Sequence, residues 1–120
     1  MANIMQDKVV VVTGAGGGIG RELALLMAAE GAKVVVNDIG ASVSGEGKDP
    51  GPAQKVVDEI RAKGGQAVAN TDSVSAWMSA NAIIKTAIEA FGRIDCVVNN
   101  AGILRDRMIF KMNPEEWQAV

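Results

Sequence analysis

Apolar residues along this chain fall into short continuous blocks separated by stretches of helical periodicity. Val9-Val10-Val11-Val12, entered through Lys8, predicts a buried strand and runs directly into Thr13-Gly14-Ala15-Gly16-Gly17-Gly18-Ile19-Gly20. Ile19, Leu23, Leu26 and Met27 then recur at helical spacing, and Glu30-Gly31 ends that helix with a residue suited to the left-handed cap. Lys33-Val34-Val35-Val36 predicts a second buried strand, finishing at Asn37-Asp38. Residues 39–52 are rich in Gly, Ser and Pro and read as one long surface loop, a length unusual without a function. A helix is expected from about Ala53 to Lys63, with Val56, Val57 and Ile60 facing inward and Gly64-Gly65 closing it. Gln66-Ala67-Val68-Ala69 makes a third strand, Asn70 to Val74 a turn at its C-terminal end, and Ser75 a cap for the next helix. That helix extends to Phe91, with Ala80, Ile83, Ile84, Ala87 and Phe91 on one face, and stops at Gly92. Ile94–Val98 is the fourth strand, leading into Asn99-Asn100-Ala101-Gly102. Asn113-Pro114-Glu115-Glu116 opens a last helix, with Asn113 as cap, Pro114 in the first turn and Glu116 completing a capping box. One β-α-β-α-β-α-β unit accounts for residues 1–120, with no repeat and no linker.

A buried strand, a glycine-rich turn and an amphipathic helix, in that order, are how an α/β protein holds a pyrophosphate. Backbone N–H groups close on the phosphates with no Cβ in the way, and the helix N-terminus adds a favourable dipole. The spacing Gly14-x-x-x-Gly18-x-Gly20 departs from G-x-G-x-x-G, and no Gly-Lys-Ser/Thr ending is present, which argues against a P-loop NTPase. A nicotinamide dinucleotide is the expected ligand. Asp38, about 20 residues beyond the glycine loop at the end of the second strand, stands where an adenosine ribose would be gripped; a turn-capping role is the plain alternative. A carboxylate accepts from both ribose hydroxyls but repels a 2′-phosphate. The next basic residue, Lys48, lies across the glycine-rich loop, so NAD is expected over NADP.

Composition narrows the remaining classes. Twelve basic against 14 acidic residues give a net charge of −2, which provides no electrostatic case for nucleic acid or an anionic membrane. No apolar run approaches spanning length, and residues 1–7 lack the basic-then-apolar pattern of a secretory signal, so a cytoplasmic protein is expected. The single cysteine, Cys96, is expected to be a buried small hydrophobe, since the chain has no histidine to activate it. No metal site is expected.

Thr13-Gly-x-x-x-Gly-Ile-Gly20, Asp72 after the third strand and Asn99-Asn100-Ala101-Gly102 after the fourth together resemble the short-chain dehydrogenase/reductase family. The resemblance implies a Rossmann-like doubly wound parallel sheet, here truncated after the fourth strand, with the cofactor across its C-terminal edge. It implies that Gly14, Gly18, Ile19 and Gly20 cradle the pyrophosphate and that Asp38 grips the ribose. Asp72, Ser73 and Val74 would border the adenine, and Asn100, Ala101 and Gly102 would pass under the nicotinamide-side ribose, with Asn99 tying the sheet by hydrogen bonds. Val35 to Gly40, Ala69 to Val74 and Ala101 to Arg107 are similar to the (3R)-hydroxyacyl-CoA dehydrogenase unit of peroxisomal multifunctional enzymes and its bacterial relatives. That subgroup oxidises a 3-hydroxyacyl thioester with NAD, and homo-oligomers are expected.

The family's Tyr-x-x-x-Lys pair is missing, and the chain contains no tyrosine. The resemblance therefore implies the N-terminal, cofactor-binding half of an enzyme, with no catalytic residue in it. Ile94–Val98 would become an apolar edge, and Ile103, Leu104, Met108, Ile109, Phe110 and Met112 would lose cover. Trp117 is read as part of the last helix's packing face. Two other readings stand beside this one: a non-catalytic dinucleotide-binding or interaction module, and an S-adenosylmethionine methyltransferase. The second leaves Asn99 to Gly102 and the Gly18-Ile19-Gly20 helix entry unexplained.

Overall fold

The computed structural model of the protein describes residues 4–40 and 51–120. Four strands form one parallel sheet: β1 (Val9–Val12), β2 (Lys33–Asn37), β3 (Gln66–Asn70) and β4 (Cys96–Val98). The helices are α1 (Gly18–Ala29), α2 (Gly51–Ala62), α3 (Trp77–Phe91) and a short α4 (Pro114–Ala119), with a 3-10 turn at Ile109–Lys111. The spatial order is β3-β2-β1-β4. The chain winds outward through β2 and β3, then returns to the other side of β1, so the C-terminal ends of β1 and β4 form a topological switch point. That is where open α/β sheets bind ligands.

Alternation along the strands divides the core. Val10, Val12, Val34 and Val36 pack with Ala24 of α1 and Val56, Val57 and Ile60 of α2, while Val9, Val11 and Val35 pack with Ile83 and Ala87 of α3. Two helices on one face and one on the other make the sheet doubly wound. All four β1 residues are buried, as a strand covered on both faces requires.

Several expectations are corrected. On α1 the buried residues are Gly20 and Ala24, whereas Ile19 and Leu26 point to solvent. Small residues bring this helix close to the sheet, and of the four spaced apolar residues only Leu23 and Met27 pack, partly buried, against the core. Helix α2 begins at Gly51, inside the expected loop, and the loop's residues 41–50 lie outside the described residues. The cap of α3 is Ala76, with no side-chain bond; Ser75 instead pairs with the Ser73 hydroxyl (2.7 Å). Asn113 does cap α4, its Oδ1 accepting from the Glu116 N–H (2.8 Å), but Glu116's carboxylate turns to Arg107 (3.1 Å). β4 is a sheet edge and Cys96 on it is exposed, because no strand or helix among the described residues covers that side.

A candidate dinucleotide groove at the switch point

Turns at the C-terminal ends of all four strands converge on a groove of about 590 Å³. Six of the residues expected at a cofactor site line it: Gly14, Asp38, Ser73, Val74, Ala101 and Gly102. The other five sit around it. Gly18 and Ile19 are exposed at the start of α1, while Gly20, Asp72 and Asn100 lie within the supporting structure.

The glycines of the loop divide by what surrounds them. Gly14 adopts φ +63°, and a Cβ there would stand 2.9 Å from the Ala101 Cα, so this position lets the β1 turn and the segment after β4 touch. A Cβ on Gly20 would come within 2.5 Å of both Asn100 Nδ2 and the Gly14 carbonyl. Gly18 is the opposite case. Its φ is +54° and a Cβ would meet nothing within 4 Å, as also at Gly17. Open space therefore lies over the start of α1, where Gly17 provides no side-chain cap and no acidic residue stands in the first turn. A helix start with exposed N–H donors and no competing carboxylate is suited to an anion.

Asp38 is half-buried at the end of β2. Its Oδ2 accepts from the Gly16 N–H (3.0 Å) and its Oδ1 from the Gly40 N–H (2.9 Å). The turn-capping role is thus present, and among the described residues it uses two of about four acceptor positions on a carboxylate. Two remain for hydroxyl groups. No lysine or arginine lines the groove among the described residues.

The β4 side is held by a threonine hydroxyl. Thr13 Oγ1 donates to the Val98 carbonyl (3.2 Å) and accepts from the N–H groups of Asn100 (3.1 Å) and Ala101 (3.0 Å). Asn100 Nδ2 donates to the carbonyls of Thr13 (3.1 Å) and Gly14 (3.3 Å). The sheet-tying role expected of Asn99 therefore belongs to Asn100 and Thr13; Asn99 is exposed and makes no side-chain bond among the described residues. Sequence reasoning gave Thr13 no role and passed over Asn37 and Asn70. Their signal was a polar residue at the end of a strand buried on both faces, a group that must find partners.

A family model for short chain dehydrogenase matches residues 8–120. The chain is 56% identical over 113 residues to the peroxisomal multifunctional enzyme type 2 of Mus musculus, covering 94% of this chain and 15% of that protein. A crystal structure of a short chain dehydrogenase from Mycobacterium avium superposes with a TM-score of 0.90 at 56% identity, covering 98% of this chain and 40% of that one. A 7α-hydroxysteroid dehydrogenase complexed with NADH and 7-oxo glycochenodeoxycholic acid gives 0.83 at 35%, covering 98% and 43%. The chain thus spans less than half the length of these relatives. Among the described residues no helix is long and apolar enough to cross a membrane.

Proposed function

Because the chain belongs to the short-chain dehydrogenase family, we propose that it forms the NAD-binding half of an oxidoreductase domain that interconverts a secondary alcohol and its ketone. The proposed substrate class is a 3-hydroxyacyl thioester, supported by the kinship with the peroxisomal multifunctional enzyme. One observation carries the reading. Asp38, a carboxylate that among the described residues leaves two acceptor positions unused, shares a groove edge with an uncapped helix start left open by Gly17 and Gly18. These features fit the two ends of an adenosine diphosphate moiety, and the relative bound to NADH supports a nicotinamide dinucleotide.

In this reading the backbone N–H groups around Gly18, Ile19 and Gly20 receive the pyrophosphate, with Gly14 and Gly20 keeping the turn closed. Asp38 accepts from the adenosine ribose hydroxyls, Asp72, Ser73 and Val74 form the adenine side, and Asn100, Ala101 and Gly102 support the nicotinamide-side ribose. NAD supplies the hydride acceptor when bound. The chain has no tyrosine and no histidine, so the reading assigns proton transfer to sequence outside residues 1–120. The proposed assembly is a homo-oligomer; in the 120-residue chain the β4 edge, uncovered among the described residues, is a surface through which copies can associate. The proposed compartment is the cytoplasm, and the peroxisomal relative makes cell fractionation its test.

Titration calorimetry of the purified protein with NAD and NADP tests the central assignment. NAD should bind more than tenfold tighter, about 1.4 kcal/mol or more, because a 2′-phosphate would meet the Asp38 carboxylate at contact distance. Asp38→Ala should erode the preference mainly by weakening NAD. Equal affinities for the two dinucleotides would overturn the assignment.

A further inference from the structure

Strands β2 and β3 each end in an asparagine, and the two are register partners. Asn37 follows three fully buried valines and is itself only 1% exposed; Asn70 is 7% exposed. Two primary amides in such a place are unfavourable unless bonded. Three of their five side-chain bonds converge on one residue, Asp72. Asn37 Nδ2 donates to Asn70 Oδ1 (2.9 Å) and to the Asp72 carbonyl (2.8 Å). Asn70 Oδ1 also accepts from the Asp72 N–H (2.9 Å), and Asn70 Nδ2 donates to Asp72 Oδ2 (2.8 Å) and to Thr86 Oγ1 on α3 (2.9 Å). Asp72 is thus held by its carbonyl, its N–H and its carboxylate together.

Strand pairing does not require this arrangement, because β2 and β3 already pair along their backbones from Lys33 to Asn37. The amides act at the groove. Asp38 follows Asn37 directly, and its N–H donates to the Asn70 carbonyl (3.0 Å). Ser73 and Val74, which form the wall beside Asp38, follow Asp72 directly. The geometry points to Asn37 and Asn70 as positioning residues, a two-amide clamp that fixes the spacing between Asp38 and the Ser73–Val74 wall. The adenosine end of a dinucleotide then meets a slot whose two walls are already set at a fixed spacing. This inference rests on the reading of the groove as a dinucleotide site.

The test compares binding of NADH and of ADP-ribose, which lacks the nicotinamide, to the purified protein and its variants. Asn37→Val keeps the strand's apolar packing and removes the clamp. It should raise the dissociation constants of both ligands tenfold or more, and by similar factors. Should Asn37→Val fail to fold, Thr86→Val is measured instead. It lies outside the groove, frees one side of Asn70, and should weaken both ligands about threefold, with Thr86→Ser restoring them. A role in stability alone would lower the melting temperature and leave the affinity of the folded variant unchanged, and that result overturns the clamp. A loss confined to NADH, with ADP-ribose unaffected, overturns it equally. An unmodified protein that binds neither ligand overturns the groove reading and the clamp with it, whereas failure of the clamp alone leaves normal binding by the unmodified protein.

Discussion

Strands β2 and β4 flank the same strand, both parallel to it and both rich in valine, yet their surroundings differ completely. β2 lies between β1 and β3, with α1 and α2 over one face and α3 over the other, and Val34, Val35 and Val36 have no solvent exposure. β4 pairs with β1 alone, and Val97 is 40% exposed. Residue type cannot account for the difference; neighbours can. A parallel strand is buried by the strand on each side and by crossover helices on both faces, and β4 has only part of that cover. The two walls of the groove inherit the contrast. Asp38 is delivered from a packed strand, while Asn100, Ala101 and Gly102 are delivered from an edge attached to β1 at a few points.

The strongest way to break this comparison is to place one charge on each strand. Val35→Asp would bury an unpaired carboxylate on a strand covered on both faces, at a cost of several kcal/mol, comparable with the whole stability of a small domain, about 5–15 kcal/mol. In the 120-residue chain, Val97→Asp should shift stability by no more than about 0.5 kcal/mol, because the side chain has water to turn to. Urea midpoints at neutral pH read both. Equal destabilisation would mean that β4 is covered in solution. In a longer polypeptide that pairs a further strand with β4, Val97→Asp should move toward the cost of Val35→Asp.

The same contrast marks what the sequence makes legible. Strand and helix positions follow from valine runs and helical spacing, which are local signals, and the glycine loop and Asp38 stand out by spacing. The helical spacing of Ile19, Leu23, Leu26 and Met27 marks the inner face of α1 only at Leu23 and Met27, for a physical reason. Ile19 and Leu26 are the larger side chains, but close packing on the sheet selects Gly20 and Ala24. Thr13 was illegible because its partners lie 85 to 88 positions away, at Val98, Asn100 and Ala101. Asn70 and Asp72 bond two positions apart, but their link to Asn37, 33 to 35 positions away on the neighbouring strand, was illegible for the same reason. Hydrogen bonds made across the sheet leave no periodicity behind them.

Thr13→Val is the intermediate perturbation, directed at the attachment of the β4 side. The isosteric change removes one hydroxyl that serves three backbone groups, and leaves the N–H groups of Asn100 and Ala101 without that acceptor. Unmet buried donors cost about 1–3 kcal/mol, discounted here because residues 100 and 101 can reach water. Amide hydrogen exchange should accelerate at Asn100 and Ala101, with little change at Val34 to Val36. Uniform acceleration across the sheet would show that Thr13 supports the whole fold and that the two walls are not independent.

The smallest effect concerns the start of β4 and depends on pH. Asp95 Oδ2 accepts from the Val9 N–H (2.8 Å), and its Oδ1 pairs with Arg93 (2.5 Å). The Arg93 bond, then the Val9 N–H, hold the Asp95 carboxyl below the usual carboxylate range. A depressed value in the folded state contributes stability that is present above the ordinary value of about 4 and is lost as pH falls through the folded value. Acidification should therefore loosen the start of the β1–β4 seam before the start of the β1–β2 seam, where Val9 is partnered by Lys33 and the carboxylate bridging the two strands' ends, Asp38 on the Gly16 N–H, sits at the opposite end. Asp95→Asn keeps an oxygen for the Val9 N–H and removes the charge, so it should flatten the acid limb of a stability profile measured from about pH 6 to about pH 2. Arg93 is more than half exposed, so the change at neutral pH should be small. If the variant retains the parent's acid slope, the pH sensitivity lies elsewhere and β4 is held to β1 by its backbone alone, as β2 is.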